Sequence, residues 1–200
     1  VFPQAENKGR DGMKNFFNKY FINPMAAMAQ GLFASLLIGT IINTLGTLTG
    51  WSILNDIGGF ASAMAGPAMA VAIAYSLKGQ PLVIFSMAAV GYAATVNGGA
   101  GGPLAVFVIA LIAAVLANLL AGKTKIDIIL TPAVTVLVGG LLAIFIAPPI
   151  GSFANEFGKL IMWATTQHPF VMGIIVSVIV GILLTLPVSS AAICASIGLT

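Results

Sequence analysis

Tyr20–Asn55, YFINPMAAMAQGLFASLLIGTIINTLGTLTGWSILN, runs for 36 residues without one Asp, Glu, Lys, Arg or His. A secretory signal core takes about 7–15 apolar residues, whereas a helix that crosses the hydrocarbon of a bilayer takes about 20. This stretch therefore reads as a retained span and the turn beyond it. The whole chain has the same character, being 59% hydrophobic and only 6% charged with a mean hydropathy of +1.08, where a soluble domain charges about a quarter of its residues. At about 20 apolar residues per crossing, the chain supplies about six spans and leaves nothing for a large water-soluble domain. The fold class is all-α: a polytopic transmembrane helical protein whose bilayer is its solvent. Residues 1–19 form a polar tail and 20–200 the membrane domain.

The sequence has one cysteine, Cys194, in apolar surroundings, which rules out an intrachain disulfide and any Cys/His metal spacing. The formal charge is +3, yet the basic residues sit singly at the ends of apolar runs rather than on one face, as topology signals do and nucleic-acid surfaces do not. Beyond the tail the acids are Asp56, Asp127 and Glu156, and the only histidine is His168. That is too little for a carboxylate pair or a nucleophilic triad, so no catalytic residue, cofactor or metal is expected.

The tail holds Glu6, Lys8, Arg10, Asp11, Lys14 and Lys19, with Gly9 and Gly12 against helix. Pro24 is expected to open the first span, Met25 to Leu45, because a first-turn proline loses no bond. The second, Ile57 to Leu77, contains Gly66-Pro67, a kink signal. After the turn at Lys78, the third, Leu82 to Val96, is short, about 22 Å against about 30 Å of hydrocarbon. A glycine-rich link, Asn97 to Pro103, precedes the fourth, Leu104 to Ala121. The fifth, Ile126 to Ala147, is expected to stop at Pro148-Pro149. From Ser152 to Gln167 the residues Phe153, Phe157, Leu160, Ile161 and Ala164 recur at helical spacing, as in an amphipathic helix along the interface with Trp163 as anchor. Val171 to Leu186 is the sixth span, broken by Pro187.

If all six cross, the tail and the turns at Lys78 and Lys123/Lys125 share one side, which then holds seven of the eight Lys and Arg residues. The positive-inside rule makes that side cytoplasmic and places the N terminus there. Gly31, Ser35, Gly39 and Asn43 in the first span are echoed by Gly173, Ser177, Gly181 and Thr185 in the sixth. Between oppositely directed helices such an echo reads as an inverted repeat of a transporter, or as the small residues by which any membrane helices pack. Under the first reading Val171 begins a second unit. Since residue 1 is Val and Thr200 falls within an apolar stretch, the chain is expected to be part of a longer polypeptide.

Six residues are candidates for solute binding: Asn97, Gly98, Glu156, Thr185, Ser189 and Ser190. Irregular backbone at membrane depth survives only against protein or a wet cavity, which makes the Asn97–Gly98 link either such a place or an ordinary turn. Pro187 frees backbone carbonyls beside the hydroxyls of Ser189 and Ser190, with Thr185 just ahead; a serine-capped helix start is the alternative. Glu156 is either an intramembrane functional acid or the partner of Lys159 one turn on. Asp56 and Asp127 stand at span ends, where solvated or helix N-terminal roles are expected rather than substrate binding. Asn43 and Asn118 are placed to bond between helices.

Four blocks carry a resemblance: Lys125–Gly140 (KIDIILTPAVTVLVGG), Ala147–Gly151 (APPIG), Pro169–Ser177 (PFVMGIIVS) and Leu184–Ile193 (LTLPVSSAAI). With them the chain, from about Gly31 to Thr200, resembles the EIIC-type membrane family of the bacterial phosphotransferase system, which includes perfringolysin regulator-like proteins. The resemblance implies the N-terminal portion of a bacterial inner-membrane permease, dimeric, with a sugar or sugar-like solute as substrate. It further implies separate EIIA and EIIB phosphocarrier proteins, since no such domain lies in these residues. A secondary transporter of a non-sugar metabolite and a membrane-embedded regulatory sensor remain alternatives.

Overall fold

The computed structural model describes residues 15–123 and 126–165, and short helical pieces at 173–174, 177–178 and 181. Every regular element among them is helical. We label them α1 (Asn15–Thr49), α2 (Ser52–Ala63), α3 (Ala65–Ser76), α4 (Pro81–Gly98), α5 (Gly102–Leu120) and α6 (Asp127–Thr165). Helices α1, α4, α5 and the Asp127–Glu156 part of α6 are each long and apolar enough to cross a bilayer, and α2 and α3 pass the same test only as a bent pair.

The first helix does not begin at Pro24. It starts at Asn15 and runs 35 residues, about 52 Å at 1.5 Å per residue. Proline has no N–H and its ring crowds the carbonyl four residues back. Here a π-helical turn, Asn18–Ile22, closes with the Asn23 N–H donating to the Asn18 carbonyl, so the helix is widened just before Pro24. Pro24 itself is buried. A second π turn spans Phe33–Leu37. Gly50, with φ at +72°, ends α1 in a left-handed cap whose N–H returns to the Gly46 carbonyl.

The expected kink in the second span is present. Helices α2 and α3 meet at Met64 with a 42° bend, and Pro67 falls in the first turn of α3, where an N–H has no helical acceptor to lose. Helix α4 is longer than expected, beginning at Pro81 and reaching Gly98.

The largest departure is in α6. Pro148-Pro149 does not stop it, and the amphipathic stretch after Ser152 continues the same 39-residue helix. Both prolines are exposed, while Ala147 and Gly151 on either side of them are buried. The lost bonds therefore fall on the open face, and packing on the other face carries the helix through. In the same stretch the Ser152 hydroxyl donates to the Pro148 carbonyl at 3.0 Å.

Helix α5 is the centre of the bundle, with Ala105, Val106, Ile109, Ala110 and Ala114 buried, and α3, α4 and α6 pack on it. The N-terminal half of α1 lies on α3 and its C-terminal half on α2. Gly31 sits 2.6 Å, measured from a hypothetical Cβ, from the Ala68 carbonyl, and Gly39 and Gly46 meet Ser62 and Asn55. The small residues of the first span thus do what small residues in membrane helices do, admitting a neighbouring backbone. Among the described residues nothing lies within 4 Å of a Cβ placed on their counterparts Gly173 and Gly181. Ile174, Ser177 and Val178 are helical and exposed, and the remaining residues of the sixth span lie outside the described ones.

Candidate functional site

The glycine-rich link is only three residues of 3-10 turn, Gly99–Gly101, between α4 and α5. It is no free loop: it is pressed against α6. A Cβ on Gly101 would stand 2.8 Å from the Ile150 carbonyl, and one on Gly151 would stand 2.5 Å from the Gly98 carbonyl. Only hydrogen at these positions lets the two backbones touch. Gly99 adds a positive φ of 49°, which a glycine adopts without strain.

This contact puts two of the six candidate residues, Asn97 and Gly98, at the same end of the bundle as the Pro148–Gly151 part of α6. Gly98 is buried in the joint, whereas Asn97 is exposed and its Nδ2 donates to the Ala93 carbonyl one turn back at 2.8 Å. Glu156 lies five residues beyond Gly151 on the same helix, about 7.5 Å along its axis. Its carboxylate is exposed and accepts from Lys159 Nζ at 2.6 Å. An exposed pair of this kind adds little to stability. Thr185, Ser189, Ser190 and His168 lie outside the described residues.

Sequence reading missed the feature that builds the joint. Thr131, Thr135, Gly139, Ala143, Ala147 and Gly151 recur every fourth residue along α6, and all are buried. Since 3.6 residues make a turn, a stripe of period four drifts by about 40° per step around the helix. Its first part meets α4, where Gly139 packs on Val90, and its last part meets the link at Gly98 and Gly101. The signal was in the sequence, as T-x3-T-x3-G-x3-A-x3-A-x3-G, but hydropathy hides it because the residues between are equally apolar.

At the opposite end, the turns after α3 and α5 meet. The Gln80 N–H donates to Asn118 Oδ1 at 3.3 Å, the interhelical role expected of that asparagine. Gly122 approaches the Gln80 side chain. Asp127 serves as a helix-start acceptor, taking the Gly122 N–H at 3.0 Å and the Thr131 hydroxyl. The turns that carry Lys78 and Lys123 therefore lie at the same end of the bundle. Among the described residues no three His, Cys, Asp or Glu side chains converge to hold a metal.

The family model for the phosphotransferase system EIIC matches residues 22–200. The chain belongs to that EIIC family. No curated protein and no solved structure matches it at a significant level. Membership makes this EIIC protein a membrane permease component of the phosphotransferase system, in keeping with its apolar helices. The match takes in all the described helices except the first turns of α1.

Proposed function

We propose that this EIIC protein carries a sugar or a sugar-like solute across the bacterial inner membrane. The observation that carries the reading is the family match over 179 of 200 residues, 22–200. The residues that bind the solute are Asn97 and Gly98 at the glycine joint, Glu156, Thr185, Ser189 and Ser190. Two features support that location. The joint brings irregular backbone against α6, and such backbone inside a membrane is kept where protein or a wet cavity satisfies it. Glu156 also stands on the helix that forms the joint, with Lys159 as a partner that a solute hydroxyl can replace.

Lys78 and Lys123 share one end of the bundle, and by the positive-inside rule that end, with the N terminus, is cytoplasmic. The protein acts as a homodimer, and separate EIIA and EIIB proteins on that side pass phosphate to the solute it carries.

Uptake of labelled sugars into vesicles holding the complete protein, with and without the general phosphotransferase proteins, tests the reading. Accumulation that requires phosphoenolpyruvate and the carriers is expected. Carrier-independent uptake would instead make the protein a secondary transporter. No uptake, together with altered transcription in a deletion strain, would make it a sensor. Glu156→Gln and Ser189→Ala should each weaken solute binding with the protein still folded, and unchanged affinity in both removes the site assignment.

A further inference from the structure

Outside the joint, the structure holds one feature that transport does not explain. The start of α1 stands off from α5 and leaves an open groove of about 630 Å³, within the range of about 300–1,000 Å³ usual for small-molecule sites. Its walls are Tyr20 and Phe21 on one side and Phe107, Leu111, Ile112 and Leu116 on the other. Phe21 meets Phe107 edge to face, with ring centroids 5.6 Å apart, and closes one end. Phe16 meets Tyr20 at a tilt with ring centroids 4.8 Å apart and Phe17 stacks on Phe21 at 5.1 Å, so the aromatic wall is braced along its own helix. The lining is almost wholly hydrocarbon and aromatic, with the Tyr20 hydroxyl as its one polar side-chain group.

Charge is placed at the rim. The Lys19 ammonium lies 5.1 Å from the centroid of the Tyr20 ring, a wall of the groove. Among the described residues the three carboxylates are elsewhere: Asp127 is held by Gly122 and Thr131, Glu156 by Lys159, and Asp56 stands on α2. The α5 wall also runs from Phe107 toward the end of that helix at Leu120, three residues before Lys123. An apolar slot thus leads along α5 toward the cationic end of the bundle with a further cation beside it.

We propose that this groove seats an anionic phospholipid, one acyl chain lying between Tyr20/Phe21 and the Phe107–Leu116 face and the phosphate held by Lys19. A fatty chain matches the lining, the negative headgroup matches the rim, and the bilayer supplies such molecules to any protein embedded in it. Basic pockets between membrane helices recognise lipid headgroups by the same electrostatics. The proposal is independent of the solute and of phosphate coupling.

Native mass spectrometry of the complete protein, released from neutral-detergent micelles doped with palmitoyl-oleoyl phosphatidylglycerol or with the phosphatidylcholine of the same chains, tests it. One phosphatidylglycerol should be retained in clear preference to phosphatidylcholine. Lys19→Gln should lower that retention about fivefold, the effect of one basic side chain near an anionic surface, and leave phosphatidylcholine unchanged. Ile112→Trp, which fills the groove from a half-buried position, should abolish retention while gel filtration shows an unaltered folded particle; Val108→Trp serves as a second plug. Equal retention of the two lipids, indifference to Lys19→Gln, or retention that survives both plugs overturns the assignment. So does efficient disulfide dimerisation of Ile112→Cys in membranes, which would put a second copy of the chain in the groove.

Discussion

Gly139 and Gly140 are neighbours on α6 with opposite surroundings, and replacing each by alanine weighs the packing that holds the bundle together. A Cβ on Gly139 would lie 2.6 Å from Cγ1 and 3.1 Å from Cβ of Val90, a side chain only 1% exposed in the core. A Cβ on Gly140 would meet nothing within 4 Å. Both substitutions gain the same helix propensity, about 0.8–1 kcal/mol, so their difference isolates the overpacking at Val90. A β-branched side chain locked in a core has no alternative rotamer to retreat to, and inserting a methyl there costs about 1–3 kcal/mol. Gly140→Ala should therefore be more stable than the parent by about 1 kcal/mol, and Gly139→Ala less stable than Gly140→Ala by about 1–3 kcal/mol. Reversible unfolding of the purified protein in mixed micelles, followed by circular dichroism, measures both. Val90→Ala removes the two γ-methyls in the way, so combining it with Gly139→Ala should show a favourable coupling of at least about 0.5 kcal/mol. Equal stabilities for the two single variants, or strict additivity in the cycle, would refute the α4–α6 contact.

Three further outcomes follow from the same coordinates. In a Cys194→Ser background, cysteines at Gly79 and Gly122 should label from one face of the membrane and a cysteine at Asn97 from the other; labelling of Gly79 and Gly122 from opposite faces would overturn the helix order. Asp127→Ala removes the acceptor for the Gly122 N–H and the Thr131 hydroxyl and should cost about 0.5–2 kcal/mol in the same unfolding assay, while Asp127→Asn, whose amide oxygen still accepts, should cost less. Glu156→Gln breaks an exposed pair and should change stability by no more than about 1 kcal/mol, so that a loss of solute binding in this variant, measured by equilibrium dialysis, reports on the site rather than on the fold.

Charge and hydropathy made the spans legible, because a 36-residue uncharged run has few fates other than lipid. They also made the sharing of one end by the Lys78 and Lys123 turns legible, through the alternation of crossings. Helix breaks were read less well. Local rules make Pro24 and Pro148-Pro149 helix ends, but one is absorbed by a π turn and the other two lie on an exposed face whose opposite side is clamped. Pro67 behaved as expected because the helix restarts just before it. Of the candidate site, the pairing of Glu156 with Lys159 was visible from their spacing. The burial of Gly98 against Gly151 was not, since it depends on which helices become neighbours, and no local pattern states that.

The reason the α6 stripe escaped notice is also the reason it matters. In water a helix hides its apolar face; in a bilayer both faces are apolar and there is no hydrophobic gain in leaving lipid for protein. Burial is then decided by size. On α6 the side left exposed among the described residues carries Ile128, Ile129, Leu137, Leu141, Ile144 and Phe145, while the buried side carries two threonines, two alanines and two glycines. Those small residues are what allow α4 and the glycine link to approach α6 closely, and that approach sets the Gly98 carbonyl against Gly151 and the Ile150 carbonyl against Gly101. Dispersion falls off steeply with separation, so widening the contact by one methyl at Gly151 would both weaken the bundle and draw the Asn97 corner away from α6. The same residues that hold the helices together thus set the geometry of the proposed binding end, and a substitution there should change stability and solute affinity together, whereas one at Glu156 should change affinity alone.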